Sequence, residues 1–107
     1  MGSARLRPTR LAEKLLQIRT ALGLSQPQMH RLLGVDHLID YTKISTYELD
    51  KRGPPLMILL EYARAANVYV EALIDDELDL PERLPSPTKS EGVRRRSVIR
   101  SRAGKSR

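Results

Sequence analysis

The chain has 107 residues with no cysteine, tryptophan or phenylalanine, and 19 Lys+Arg stand against 13 Asp+Glu. That length fits one domain, or a smaller domain with a tail. Without cysteine neither a disulfide framework nor a thiolate zinc site can form, so packed apolar side chains must hold the fold. The longest apolar stretch, Leu56-Met57-Ile58-Leu59-Leu60, is far below the ~20 residues of a membrane span, and no apolar run of a signal peptide follows the N-terminal arginines. A cytoplasmic protein with no membrane partner is the expectation.

Residues 1–8 carry no pattern and are expected to be flexible. Leu11, Leu15, Ile18 and Leu22 then recur at helical spacing, with Arg10, Lys14, Gln17 and Ala21 between them. Thr9 is the expected cap and Gly23 the stop of a helix over about 10–22. Ser25-Gln26-Pro27-Gln28 spells a capping box, in which the Ser hydroxyl and the Gln28 amide each satisfy an orphan backbone N–H. The second helix so opened presents Met29, Leu32 and Leu33 to a core and stops at Gly34. Residues 35–40 break the pattern, and Asp40 can cap a third helix, residues 41–49, with Ile44, Tyr47 and Glu48 inward. The Gly53-Pro54-Pro55 turn leads into a fourth helix through about Ala66, with Leu56, Leu59, Leu60 and Ala63 as its stripe and Asn67 as a left-handed stop. A short fifth helix, 70–74, precedes an acidic, proline-punctuated segment expected to be solvated. No strand is expected.

Charge is distributed unevenly. Residues 85–107 hold eight bases and one acid, a net +7, and low complexity there predicts a disordered basic tail. Residues 1–53 hold nine bases and five acids, whereas 54–84 hold two bases and seven acids. A basic half attracts polyanions, and an acidic half faces away from them. The expected layout is a flexible N-terminus over 1–8, an all-α five-helix domain over 9–84, and the tail over 85–107.

The informative constellation is two short helices around Gly34 followed by a helix whose outer face is Tyr41, Thr42, Lys43 and Thr46. It reads as a helix-turn-helix, whose second helix enters the major groove of a duplex. Ile18-Arg19, Leu22-Gly23-Leu24-Ser25-Gln26, Leu33-Gly34-Val35, Ile44-Ser45-Thr46-Tyr47-Glu48 and Arg52-Gly53-Pro54-Pro55-Leu56 together resemble the Cro/phage-repressor (xenobiotic-response-element) family of DNA-binding proteins, over about residues 11–80. The resemblance implies that Gln26 contacts a phosphate, that Tyr41, Thr42 and Thr46 stand where bases are read, and that Lys43 reaches base or backbone, with Lys51 and Arg52 also on the DNA side. It also implies a buried pair, Arg19 with Glu48, tying the first helix to the third. The stretch 35–40 is longer than that family's usual turn, and Asp50 stands where it commonly has glycine.

The implied function is a repressor-like, sequence-specific regulator of transcription that binds double-stranded DNA as a homodimer. The second reading is an antitoxin or adaptor whose helices grip a partner protein. No nucleophile–base set, P-loop or dinucleotide fingerprint is present, so no enzyme, cofactor or metal is expected. His30 and His37 lack companion ligands.

Overall fold

The computed structural model describes residues 8–94. Five helices follow in chain order: α1 (Leu11–Leu22), α2 (Gln26–Leu33), α3 (Thr42–Glu48), α4 (Leu56–Ala66) and α5 (Glu71–Ile74). Two short strands, β1 (Leu78–Asp79) and β2 (Val93–Arg94), pair antiparallel with Leu78 opposite Arg94 and Asp79 opposite Val93. The described chain is therefore mostly helical, as its periodicity predicts, with a minimal ladder that the periodicity does not predict.

Local signals set the helix ends. Ser25 Oγ accepts from the Gln28 N–H and Gln28 Oε1 accepts from the Ser25 N–H at 2.8 Å, which completes the capping box. Gly23, Gly34 and Asn67 all take the left-handed conformation and end α1, α2 and α4. Leu11, Leu15 and Ile18 of α1, Met29 and Leu33 of α2, Ile44 and Tyr47 of α3, and Ile58, Leu59, Tyr62, Ala63 and Ala66 of α4 close on one core.

Several expected inward positions are corrected. Leu32 is 53 % exposed and Leu56 is 79 % exposed, so neither belongs to the core. On α4 Leu59 and Ala63 are buried as expected and Leu60 is half-buried, while Ile58, Tyr62 and Ala66 complete the buried stripe on the side away from Leu56. Lys14, which sits between apolar positions of α1, is wholly buried. Its ammonium donates to the carbonyls of Ala72 at 2.8 Å and Asp75 at 3.0 Å, at the C-terminal end of α5. These are carbonyls at a helix end, of which Asp75 O also accepts from the Leu78 N–H at 3.0 Å. Burial lowers the Lys14 pKa from its ordinary value.

The acidic segment is not a solvated end. Asp76 accepts from the backbone N–H groups of Thr9 and Arg10 at 2.9 and 3.0 Å, so a distant carboxylate rather than Thr9 caps α1. The Arg10 guanidinium donates to Asp79 at 2.6 Å and to the carbonyls of Asp76 and Leu78. Asp76 is held below the usual carboxylate range, chiefly by the Thr9 N–H. A depressed folded pKa gives stability that is complete above the unfolded value near 4 and is lost as pH falls through the folded value. Asp76→Asn is therefore expected to cost about 1 kcal/mol at neutral pH and to flatten the acid limb of the melting profile. Thermal melts taken from neutral to acid pH check this; a variant that tracks the wild type throughout would remove the cap.

The stretch beyond Pro85, expected to be disordered, is folded as far as the description extends. Ser86 is buried, its N–H donates to Ala66 O at 2.9 Å, and Asn67 Nδ2 donates to Ser86 O at 2.7 Å. Tyr69 N–H donates to Ser90 O at 2.9 Å, and the Lys89 ammonium lies 5.6 Å from the centre of the Tyr69 ring. Residues 85–94 thus form a strap from the end of α4 past α5 to β1. The rest of the expected basic tail, 95–107, and residues 1–7 of the expected flexible N-terminus lie outside the described residues.

Candidate functional site

The site grows from the anchoring of α3. Its back is Ile44, Tyr47 and Glu48. The Glu48 carboxylate, 5 % exposed, takes two hydrogen bonds from Arg19, Nε at 2.7 Å and Nη2 at 2.9 Å. Arg19 Nη1 also donates to Leu24 O at 3.0 Å, and Gln26 Nε2 donates to Glu48 Oε1 at 3.2 Å. A fork-to-fork pair with these added bonds fixes α3 against α1 and the start of α2 in one orientation. The Tyr62 hydroxyl, buried close to this pair, has no hydrogen-bond partner among the described residues, and burial pushes its pKa up. The sequence offered no signal for that orphan.

The N-terminal end of α3 is set by Asp40. Its carboxylate accepts from the Thr42 N–H at 2.9 Å and from the Thr42 hydroxyl, and these bonds hold the Asp40 carboxyl below its ordinary range. The long connection before it winds as a single turn, with the N–H groups of Leu38 and Ile39 donating to Val35 O. Val35 is buried and Ile39 half-buried, while His30 Nε2 lies 2.7 Å from Ile39 O. The extra residues thus bring Asp40 to the helix start and extend the core by one side chain. Asp50 adopts φ 60°, the left-handed conformation that glycine takes without steric cost.

On the outer side, Tyr41, Thr42, Lys43, Lys51 and Arg52 are exposed and Thr46 is half-exposed. At 100° per residue, Thr42, Thr46 and Leu49 point directly away from the buried back of α3. Lys43 lies to one side, above Tyr47. Gln26, at the start of α2, turns its amide toward Glu48 and uses one of its two N–H groups there, while the residue stays half-exposed. Thr46 Oγ1 donates to Thr42 O at 3.5 Å, a long bond within the helix. Neither a family model, a curated protein nor a solved structure matches this chain.

Two features of the surface were not read from the sequence. Leu49 stands on the outermost face of α3 and is exposed. A groove of about 1270 Å3 runs beside the helix, between Lys43 and Tyr47 on one side and the 51–55 turn, Leu56 and Ile74 on the other. The sequence signal for it was the pair Leu56-Met57, apolar at the start of α4 but unable to face the core together with Ile58 and Leu59. Among the described residues, no cluster of three or more His, Cys, Asp or Glu is placed to hold a metal ion, and no helix is long and apolar enough to cross a membrane.

Proposed function

We propose that the protein is a DNA-binding regulator of the helix-turn-helix type, with α3 as its recognition helix in the major groove. The observation that carries the reading is the two-sided character of α3. One side is held by a half-buried bidentate pair, and the other offers hydroxyls and cations with Leu49 exposed among them. A rigid helix displaying short polar side chains suits base edges, while Lys43, Lys51 and Arg52 suit phosphates. The basic residues of 95–107 would add further phosphate contacts. The Cro/phage-repressor resemblance carries the same reading, including a homodimer on a pseudo-palindromic site.

The bonds around Thr42 refine the readout. Its hydroxyl proton goes to Asp40, so its oxygen faces outward as an acceptor, and Asp40 is itself an acceptor. Such a pair favours exocyclic amines, the N4 of cytosine or the N6 of adenine, near the start of α3.

Selection of duplexes from a random pool, followed by fluorescence anisotropy, tests the proposal. Affinity is expected to fall steeply with salt, with a log–log slope of about −0.9 per phosphate neutralised. Replacing both Thr42 and Thr46 with alanine is expected to lower discrimination between selected and random duplexes by roughly tenfold while the fold is kept, because the Thr42 N–H bond to Asp40 remains. Salt-independent affinity, or full discrimination in the double variant, would refute the assignment. The second reading, an antitoxin or adaptor, draws on the apolar groove, and a stoichiometric partner in a pull-down would favour it.

A further inference from the structure

The groove beside α3 has a composition that DNA alone does not use. Tyr47 and Leu59 lie buried at its base, and Leu56 and Ile74 are exposed at its edges. Lys43, Lys51 and Arg52 line it as well and form no ion pair among the described residues. A duplex backbone would neutralise the three cations but leave the apolar walls against water. An apolar peptide would fill the walls but leave the cations unmatched. The ligand that satisfies both is an acidic segment carrying apolar anchors, the usual chemistry of peptide-in-groove recognition.

We infer that this groove docks an acidic segment of a partner protein, with one or two apolar side chains entering between Tyr47, Leu56 and Ile74 and carboxylates meeting Lys43, Lys51 and Arg52. Neither terminus of the chain supplies a segment of this kind. Residues 1–7 contain Arg5 and Arg7 and no acid, and residues 95–107 contain six bases and no acid. The acidic stretch of α5 and β1 is already engaged: Asp76 and Asp79 hold Thr9 and Arg10, and Leu78 is buried in the ladder. In a second copy Glu71, Ile74 and Glu77 are exposed, but they sit on the folded α5–β1 turn, and Ile74 is itself a wall of the groove, so they do not form an extended segment that could enter it. The charge of the groove therefore points to a different protein.

One consequence rests on the DNA reading proposed above. Lys43, Lys51 and Arg52 are also its phosphate contacts, so the acidic segment and the duplex exclude each other. A partner carrying such a segment would release the protein from its operator by competing for the same three cations, with no conformational change required.

The test uses the full chain and a fluorescein-labelled synthetic peptide with leucines spaced three and four apart among glutamates, followed by anisotropy. A second peptide replaces the glutamates with lysines. Saturable binding of the acidic peptide and none of the basic one is expected. Leu56→Ser should weaken that binding about tenfold while retaining duplex binding, because Leu56 is exposed and makes none of the assigned DNA contacts. Lys51→Glu should weaken it at least as much. Added to a preformed duplex complex, the acidic peptide should displace the DNA at concentrations set by its own affinity.

Equal binding by wild type and Leu56→Ser, or by both peptides, would overturn the groove assignment. Peptide binding without any duplex binding would keep the groove and remove the DNA reading. Duplex binding without peptide binding would do the reverse. If both bind and neither displaces the other, the mutual exclusion is wrong.

Discussion

Glu48→Ala is expected to destabilise the protein by about 3 kcal/mol, because the substitution leaves the half-buried Arg19 guanidinium without its carboxylate. For a domain of this size each kcal/mol lowers the melting temperature by ~4–8 °C, so the drop should be roughly 12 °C or more. The loss would be a large fraction of the roughly 5–15 kcal/mol that stabilises an ordinary small domain. It has three parts. The carboxylate takes a hydrogen bond from Gln26 as well as two from Arg19, and all three are broken at once. The cation left behind has Leu24 O as its remaining acceptor. A cavity the size of the carboxylate opens beside Tyr62, whose hydroxyl already lacks a partner among the described residues. Removing both charges together, as Arg19→Met with Glu48→Leu, should cost less than either single change, since no charge is then left unpaired. Thermal melts of the wild type, Glu48→Ala, Arg19→Met, Glu48→Leu and the double variant decide the matter. Glu48→Ala melting within a few degrees of the wild type would mean that the pair does not anchor α3.

Gly92→Ala should free the strap. Gly92 has φ 98°, and a Cβ placed there would stand 2.7 Å from the carbonyl oxygen of Asp79 and 3.1 Å from the Ala72 Cβ. The first neighbour is backbone and cannot swing aside, so β2 must leave β1 or β1 must shift. Conformational strain and the lost ladder together should cost about 2–3 kcal/mol. Gly34 provides the internal control: its φ of 68° also favours glycine, but nothing lies within 4 Å of the added methyl. Gly34→Ala should cost only the left-handed penalty of about 1–2 kcal/mol and leave the strap in place. Limited trypsin digestion distinguishes the two. Lys89 should be cut faster in Gly92→Ala and at the wild-type rate in Gly34→Ala. Identical digestion of all three proteins would show that residues 85–94 are not held against α5 and β1.

The two substitutions probe features of different legibility. Ser25 with Gln28, Gly23, Gly34 and Asn67 announce helix ends because each acts on backbone groups within a few residues of itself, and all of them act in the structure as their chemistry requires. Ile44 and Tyr47 were readable for a similar reason: helical spacing puts them on one side. The partnership of Arg19 with Glu48 was implied by resemblance to a family, not by spacing. Asp76 was read as part of a solvated acidic run, because nothing near it in the sequence says that the start of α1 lies within hydrogen-bonding distance. The same holds for Lys14, whose acceptors are carbonyls almost sixty residues away. Composition misled in residues 85–94, where Ser, Pro and Lys looked like a disordered tail. These residues are ordered by backbone hydrogen bonds to Ala66 and Tyr69, which place no demand on side-chain hydrophobicity.

By itself the amino-acid sequence determined that the described chain is mostly helical, where α1, α2 and α4 stop, how α2 starts, and which polar side chains α3 carries outward, since all of these follow from interactions spanning one or two turns. Only the tertiary structure decided that an acidic segment caps α1, that a lysine is buried beneath α5, that a strap closes on β1, and that three cations share a groove with apolar walls. Those features join residues far apart in the chain, and their partners come into reach only after the core has closed.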